Sequence, residues 1–300
     1  MVTRIQIAKP DIVRLFQSMP PVLTLDEVRN VLQENRGNWR LAQSMTQRGF
    51  INFMLEKTSL KAVRLDFPQR PVSGFVWGEV PLLELLLRLV QRSFYSHYTA
   101  VRIHGLTEQV PKTVYLNREK LSSSTIYSDY SENDEVFEQA AIDAAFSRPP
   151  RASKNEVTVG EARIILLDSA YHSADGITSD NINLGGDRSL QLRFTDLERT
   201  LIDITVRPFY AGGIAEVAKA FENAKAKGLS VNAMAAMLKR MSFGYPYHQA
   251  IGFYLERAGY KPSLLDLFRR MPMERDFYLS HQMGATRYVK DWRLHVPESF

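Results

Sequence analysis

Thr24-Leu25-Asp26-Glu27, then Val28 and Leu32, then Asn35-Arg36-Gly37-Asn38, then Arg40, Gln43, Ser44, Gln47 and Arg48: this stretch decides how the chain is read. Thr24 and Glu27 match a capping box, in which the hydroxyl and the carboxylate reciprocally satisfy free backbone donors at a helix start. Leu25, Val28 and Leu32 then repeat at helical spacing. Asn35 to Asn38 reads as a tight turn, with Asn38 as N-cap of a second helix. On that helix Arg40, Gln43, Ser44, Gln47 and Arg48 share one face, while Leu41, Ala42, Met45 and Phe53 tend toward the other. Arg and Gln side chains read base edges and phosphates, so helix, turn and polar-faced helix spell a helix-turn-helix whose second helix suits a DNA major groove. The periodicity carries that helix past Gly49 toward Lys57.

Downstream, Val63, Leu65 and Phe67 alternate with Arg64 and Asp66, Pro68-Gln69-Arg70-Pro71 makes a turn, and Val72 to Trp77 can return as a second strand. Such a hairpin is the wing of a winged helix-turn-helix. Charge agrees. Residues 1–78 hold 11 Lys+Arg against 6 Asp+Glu and residues 79–300 hold 27 of each, so the whole net charge of +5 lies in the first segment. A basic patch attracts phosphates by releasing counterions, although a charged stripe is also what a plain solvated helix face looks like. The expected DNA-binding residues are Arg36, Asn38, Arg40, Gln43, Ser44, Gln47, Arg48, Lys61, Arg64 and Arg70.

Three hundred residues fit about two domains, expected here as 1–78 and 79–300. A 45% hydrophobic share allows a sizeable core, and the absence of cysteine excludes disulfides and thiolate metal sites, which suits a cytoplasmic protein. No N-terminal apolar segment resembles a signal peptide. Pro81 to Val90 is leucine-rich but interrupted by Glu84 and Arg88, and is about half the roughly 20 residues a membrane span needs. It reads as a buried helix between the two domains.

The remainder reads as α+β, with helices collected toward the end. Helices are expected over 96–104, 134–146, 197–207, 213–227, 230–240, 247–258 and 263–270. Strands are expected over 113–116, 157–159, 164–167 and 190–194, with loops over 117–135 and 172–189. Catalytic signals are weak: there is no phosphate-binding glycine loop, and His97 and His104 fit structural roles better than a metal site. Asp196, Glu198 and Asp203 form the best carboxylate cluster for nuclease or transferase chemistry, but helix capping and a surface Arg199–Asp203 pair explain them more simply. No catalytic residue, metal or cofactor is expected.

Tyr95-Ser96-His97-Tyr98-Thr99-Ala100 followed by His104-Gly105-Leu106-Thr107-Glu108-Gln109-Val110-Pro111 resembles the segment joining the two domains of AbiEi-type antitoxins, from the type IV, abortive-infection toxin–antitoxin systems. So does Thr195-Asp196-Leu197-Glu198-Arg199-Thr200-Leu201-Ile202-Asp203 with Arg207-Pro208 and Ala211-Gly212-Gly213. Phe253-Tyr254-Leu255-Glu256 before Gly259-Tyr260 looks like the family's last helical unit. The resemblance extends over most of residues 10–262, with Thr99 standing where a smaller Ser is expected. The resemblance implies a winged helix that represses its own operon at promoter DNA carrying inverted repeats, joined to an antitoxin domain. The implied partner is an AbiEii-type, nucleotidyltransferase-like toxin. A nucleic-acid-processing enzyme using Asp196 to Asp203, and an adaptor whose winged module contacts a protein, are the competing readings.

Overall fold

A computed structural model describes residues 3–120, 137–170, 172–185 and 189–300. The chain divides into two compact units, Met1–Arg92 and Ser93–Phe300.

In the first unit, α1 (Arg4–Ser18) buries Ile5, Ala8, Ile12 and Phe16, a stripe at helical spacing. A short strand β1 (Val22–Leu23) leads into α2 (Leu25–Asn35). Its capping box forms: Thr24 Oγ1 accepts from the Glu27 amide at 3.3 Å, and the Thr24 amide donates to Glu27 Oε2 at 2.7 Å. Helix α3 (Gln47–Lys57) follows, then the hairpin strands β2 (Leu60–Leu65) and β3 (Val72–Trp77). The sheet order is β1-β3-β2, all antiparallel, with Leu60 opposite Trp77 and Leu65 opposite Val72. Three helices with a returning hairpin in this order make a winged helix-turn-helix.

The leucine-rich segment forms α4 (Leu82–Leu89), with Pro81 at its N-cap. It belongs to the first unit, which therefore runs to Arg92 and not to residue 78 as the charge count suggested. The physical reason lies at Gly74 on β3, where an added Cβ would stand 2.5 Å from Leu89 Cδ2 and 2.7 Å from the Leu23 carbonyl. Glycine lets the helix lie on the sheet, and Arg88 bonds to Glu27 of α2.

The second unit is built on a six-stranded mixed sheet of order β6-β7-β5-β4-β9-β8. Its strands are β4 (Phe94–Tyr95), β5 (Thr113–Glu119), β6 (Glu156–Val159), β7 (Ala162–Ser169), β8 (Ile177–Ile182) and β9 (Leu190–Thr195). β5 runs parallel to β7, and β4 parallel to β9. Helices α5 (His97–Ile103), α6 (Gln139–Phe146), α7 (Leu197–Val206), α8 (Ile214–Ala224), α9 (Val231–Met241), α10 (Tyr247–Arg257) and α11 (Pro262–Arg269) accompany it. Their shared core holds Leu201, Ile204, Phe221, Met234, Ile251, Tyr254 and Trp292. The fold is α+β, as expected.

Three expectations for this unit need correction. Residues 172–189 are not all loop, because β8 pairs antiparallel with β9. It is an edge strand whose inner residues, Thr178 to Asn181, are exposed and polar, so no apolar alternation marks it. A second sheet of order β10-β12-β11, from β10 (Phe277–Tyr278), β11 (Thr286–Val289) and β12 (Leu294–Pro297), also escapes the sequence, since segments this short show no period. β5 continues to Glu119, into the stretch expected as loop; residues 121–135 of that stretch, with 134–136 of the expected helix, lie outside the described residues.

Candidate nucleic-acid interface

The polar stripe from Arg40 to Arg48 does not share one helix. Asn38 is not an N-cap; the segment 36–46 is a chain of turns, and α3 begins at Gln47 behind Thr46, whose hydroxyl accepts from the Gly49 amide at 3.0 Å. Burial explains the difference. Trp39 and Leu41 are both buried, and on a helix two residues apart in sequence would point to nearly opposite sides. Arg40 between them adopts φ 49°, in the left-handed region, and this turns both apolar neighbours inward. Trp39 then stacks on Phe50 of α3, with ring centroids 5.9 Å apart. Burying Trp39 and Leu41 together outweighs the helical periodicity of the polar residues.

What α3 offers is a shorter reading face. Phe50 and Met54 are buried on one side, while Arg48 and Asn52, four apart, are exposed on the other. Gln47 is half-buried and accepts from Arg29 Nε of α2 at 3.1 Å. Arg and Asn are the side chains that make bidentate contacts to guanine and adenine edges; Arg48 stands in the first turn of α3 and Asn52 one turn further on. Glu56, one turn further on, is exposed and acidic, which limits the anion-attracting part to the first two turns. Asn52 falls outside a stripe counted from Arg40. Measured from Thr46, Asn52 falls on the same face as Arg48.

The remaining expected residues divide. Arg40, Gln43 and Ser44 are exposed in the segment ahead of α3. Arg36 is not directed at solvent: its guanidinium donates to the backbone carbonyls of Ala42 and Met45, each at 2.8 Å. On the hairpin, Lys61 and Arg64 are both exposed, but three residues apart on a strand they point to opposite faces. Arg64 also pairs with Asp66 at 2.6 Å. Arg70 is exposed at the turn. The wing therefore does not form one positive face with Lys61 and Arg64 side by side.

The carboxylates of the second unit do not converge on one point. Asp196 caps α7 by accepting from the Arg199 amide at 2.8 Å, and Glu198 accepts from the Ser230 amide at 2.8 Å. Asp203 binds Arg199 Nε at 2.8 Å. This last pair is not at the surface, as the four-residue spacing suggested: Arg199 is 1% exposed. Its guanidinium also reaches Glu119 Oε1 at 3.3 Å and the Asp175 carbonyl at 2.8 Å. Burial works against the guanidinium's charge, but Asp203 and Glu119 outweigh it and hold the pKa above the ordinary arginine value. Beside them His97 is buried, bonded to Ser96 Oγ at 2.8 Å; burial pushes it down to about 4 against the pull of Asp203. Burial raises Asp196 to about 6, opposed by its bond to the Arg199 amide. His104 is depressed chiefly by burial, its Nε2 lying 2.8 Å from the Thr195 carbonyl. The Thr99 hydroxyl accepts from the Tyr115 amide at 2.8 Å, joining α5 to β5. Among the described residues, no group of three or more His, Asp or Glu side chains could hold a metal. No helix among them is long and apolar enough to cross a membrane.

The chain matches no family model and no curated protein. Among solved structures it is similar to the RV2827C protein from Mycobacterium tuberculosis, with a TM-score of 0.58 and 14% identity, covering 96% of this chain and 91% of that one. At that identity the likeness shows the fold, over both units.

Proposed function

We propose that the first unit reads duplex DNA and that the chain is a cytoplasmic antitoxin and autorepressor of the AbiEi type, binding its own promoter and countering a nucleotidyltransferase-like toxin through residues 93–300. The observation that carries the DNA reading is the pairing of Arg48 and Asn52 on the exposed face of a capped α3, in a winged helix. Charge supports it: residues 1–92 hold 13 Lys+Arg against 8 Asp+Glu, while residues 93–300 hold 25 of each. The antitoxin role is supported by the resemblance in residues 95–111, 195–213 and 253–260.

Fluorescence anisotropy on the DNA upstream of its start codon, at several salt concentrations, tests the DNA reading. If the basic surface holds about four phosphates, log affinity falls against log salt with a slope of roughly −3.6, at about −0.9 per phosphate. A flat salt response, or no binding at low salt, refutes it. Co-expression with the product of the neighbouring gene tests the antitoxin role: rescue of growth supports it, and a neighbour whose expression is harmless without this protein removes it.

A further inference from the structure

We infer that Arg36 is a positioning residue for DNA reading and not a DNA ligand: its guanidinium fixes the segment that delivers α3. The inference rests on the proposal that the first unit binds DNA. Arg36 is the C-cap of α2, and its fork spans the segment that follows. Nη1 donates to the Ala42 carbonyl at 2.8 Å and approaches the Gln43 carbonyl at 3.4 Å, while Nη2 donates to the Met45 carbonyl at 2.8 Å. Those three carbonyls lie before Thr46, the N-cap of α3, and outside any helix or strand; that of Ala42 also accepts from the Met45 amide at 3.0 Å.

A second arginine works from the same side. Arg29, seven residues earlier on α2 and so on the same helix face, donates Nε to Gln47 Oε1 in the first turn of α3. Two arginines of one helix therefore grip the segment before the reading helix and the first residue within it. Ahead of both grips the backbone passes through the left-handed Arg40, a conformation that costs free energy for a residue with a side chain. Without the hold of Arg36 the buried Trp39 and Leu41 still anchor the start of the segment, while Ala42 to Met45 keep one backbone bond, from the Met45 amide to the Ala42 carbonyl at 3.0 Å, and the partly buried Met45 side chain. The direction in which Arg48 and Asn52 meet a base pair depends on that hold. Lysine cannot replace it, because a single ammonium lacks the planar fork that reaches separate carbonyls.

The test uses the full-length protein, Arg36→Ala and Arg36→Lys, with Lys61→Ala as the comparison for a phosphate contact. Affinities are measured against the duplex upstream of its own start codon and against a scrambled duplex, over a range of salt. Amide exchange is followed at Met45, Gly49 and Phe50, whose amides bond to Ala42, Thr46 Oγ1 and Thr46 respectively. Both Arg36 variants are expected to lose about tenfold in preference for the upstream duplex, to keep the wild-type salt slope on the scrambled one, and to exchange those three amides faster. The β2–β3 amides should be unchanged; a general loss of stability would move them too and leave the ratio between duplexes alone. A salt slope shallower by about 0.9, with exchange unaltered, makes Arg36 a phosphate ligand and overturns the inference. Unchanged preference or unchanged exchange overturns it as well. A wild-type protein that binds neither duplex removes the DNA reading itself, an outcome visible before any variant is made.

Discussion

The two units treat charge in opposite ways. In the first, cations such as Arg40, Arg48, Lys61 and Arg70 are exposed and give the unit its net positive charge. In the second, the positive and negative totals cancel, and one arginine is withdrawn entirely from water between Glu119 and Asp203. An exposed charge contributes little to stability but reaches far toward a charged partner; a buried one is useful only where its counter-charges are, and removing it leaves them stranded. The same residue type thus serves recognition in one unit and architecture in the other.

The strongest way to break this contrast is Arg199→Ala, which leaves two buried carboxylates without their cation and should destabilise the second unit by about 3–5 kcal/mol in calorimetric unfolding. Arg48→Ala should change stability by less than about 0.5 kcal/mol. If both variants melt alike, the distinction between architectural and recognition arginines is wrong.

Acidification probes the second unit next. His97 and His248 are each pushed down to about 4, chiefly by burial, so the unfolded chain binds their protons first. The stability they contribute is complete above pH 6.5 and is lost as pH falls from 6.5 to 4, by at most roughly 3 kcal/mol each. Asp196, raised to about 6, works the other way and gains stability as pH falls from 6 toward 4, which partly offsets the loss. Melting temperatures between pH 7 and 4.5 should drop, and His97→Gln should make the drop smaller. A steeper drop in that variant would contradict the buried-neutral assignment.

Two smaller effects sharpen the picture of the first unit. Asn52→Ala should reduce preference for the cognate duplex by about 1–3 kcal/mol, whereas Lys61→Ala should weaken all duplexes about equally. Competition binding against scrambled DNA separates the two, and equal behaviour would mean that α3 does not read bases. Thr46→Ala, which removes the cap, should cost about 1 kcal/mol in denaturant unfolding, while Asn38→Ala should cost almost nothing. The reverse order would restore the longer helix.

How much was legible in the sequence follows from how local each determinant is. The capping box of α2 lies within four residues and forms as read. The hairpin also could be read, because alternation and its turn are local. The start of α3 cannot be read from the sequence because two local signals compete: polar residues at helical spacing from Arg40, and Trp39 and Leu41 two apart. Only the packing of Trp39 on Phe50 decides between them. Thr46 gave a weak cue, since Gly49 stands where a capping box would have Glu or Gln. The Arg199–Asp203 spacing was visible, but its burial was not, because the third member, Glu119, lies 80 positions away.

That separation has a consequence for anyone who divides the gene. The covalent distance between Glu119 and Arg199 matters little thermodynamically, because loop-closure entropy grows only with the logarithm of length, so residues inserted between the helix and strands of this interval, and not within them, should be tolerated. A break in the chain is different. It would put the cation on one fragment and one of its anions on the other, and would also part β4 from its parallel neighbour β9. Neither fragment could satisfy itself, yet each carries what the other lacks. Such halves are suited to reassemble when expressed together, which makes this interval a place to split the protein into two mutually dependent pieces.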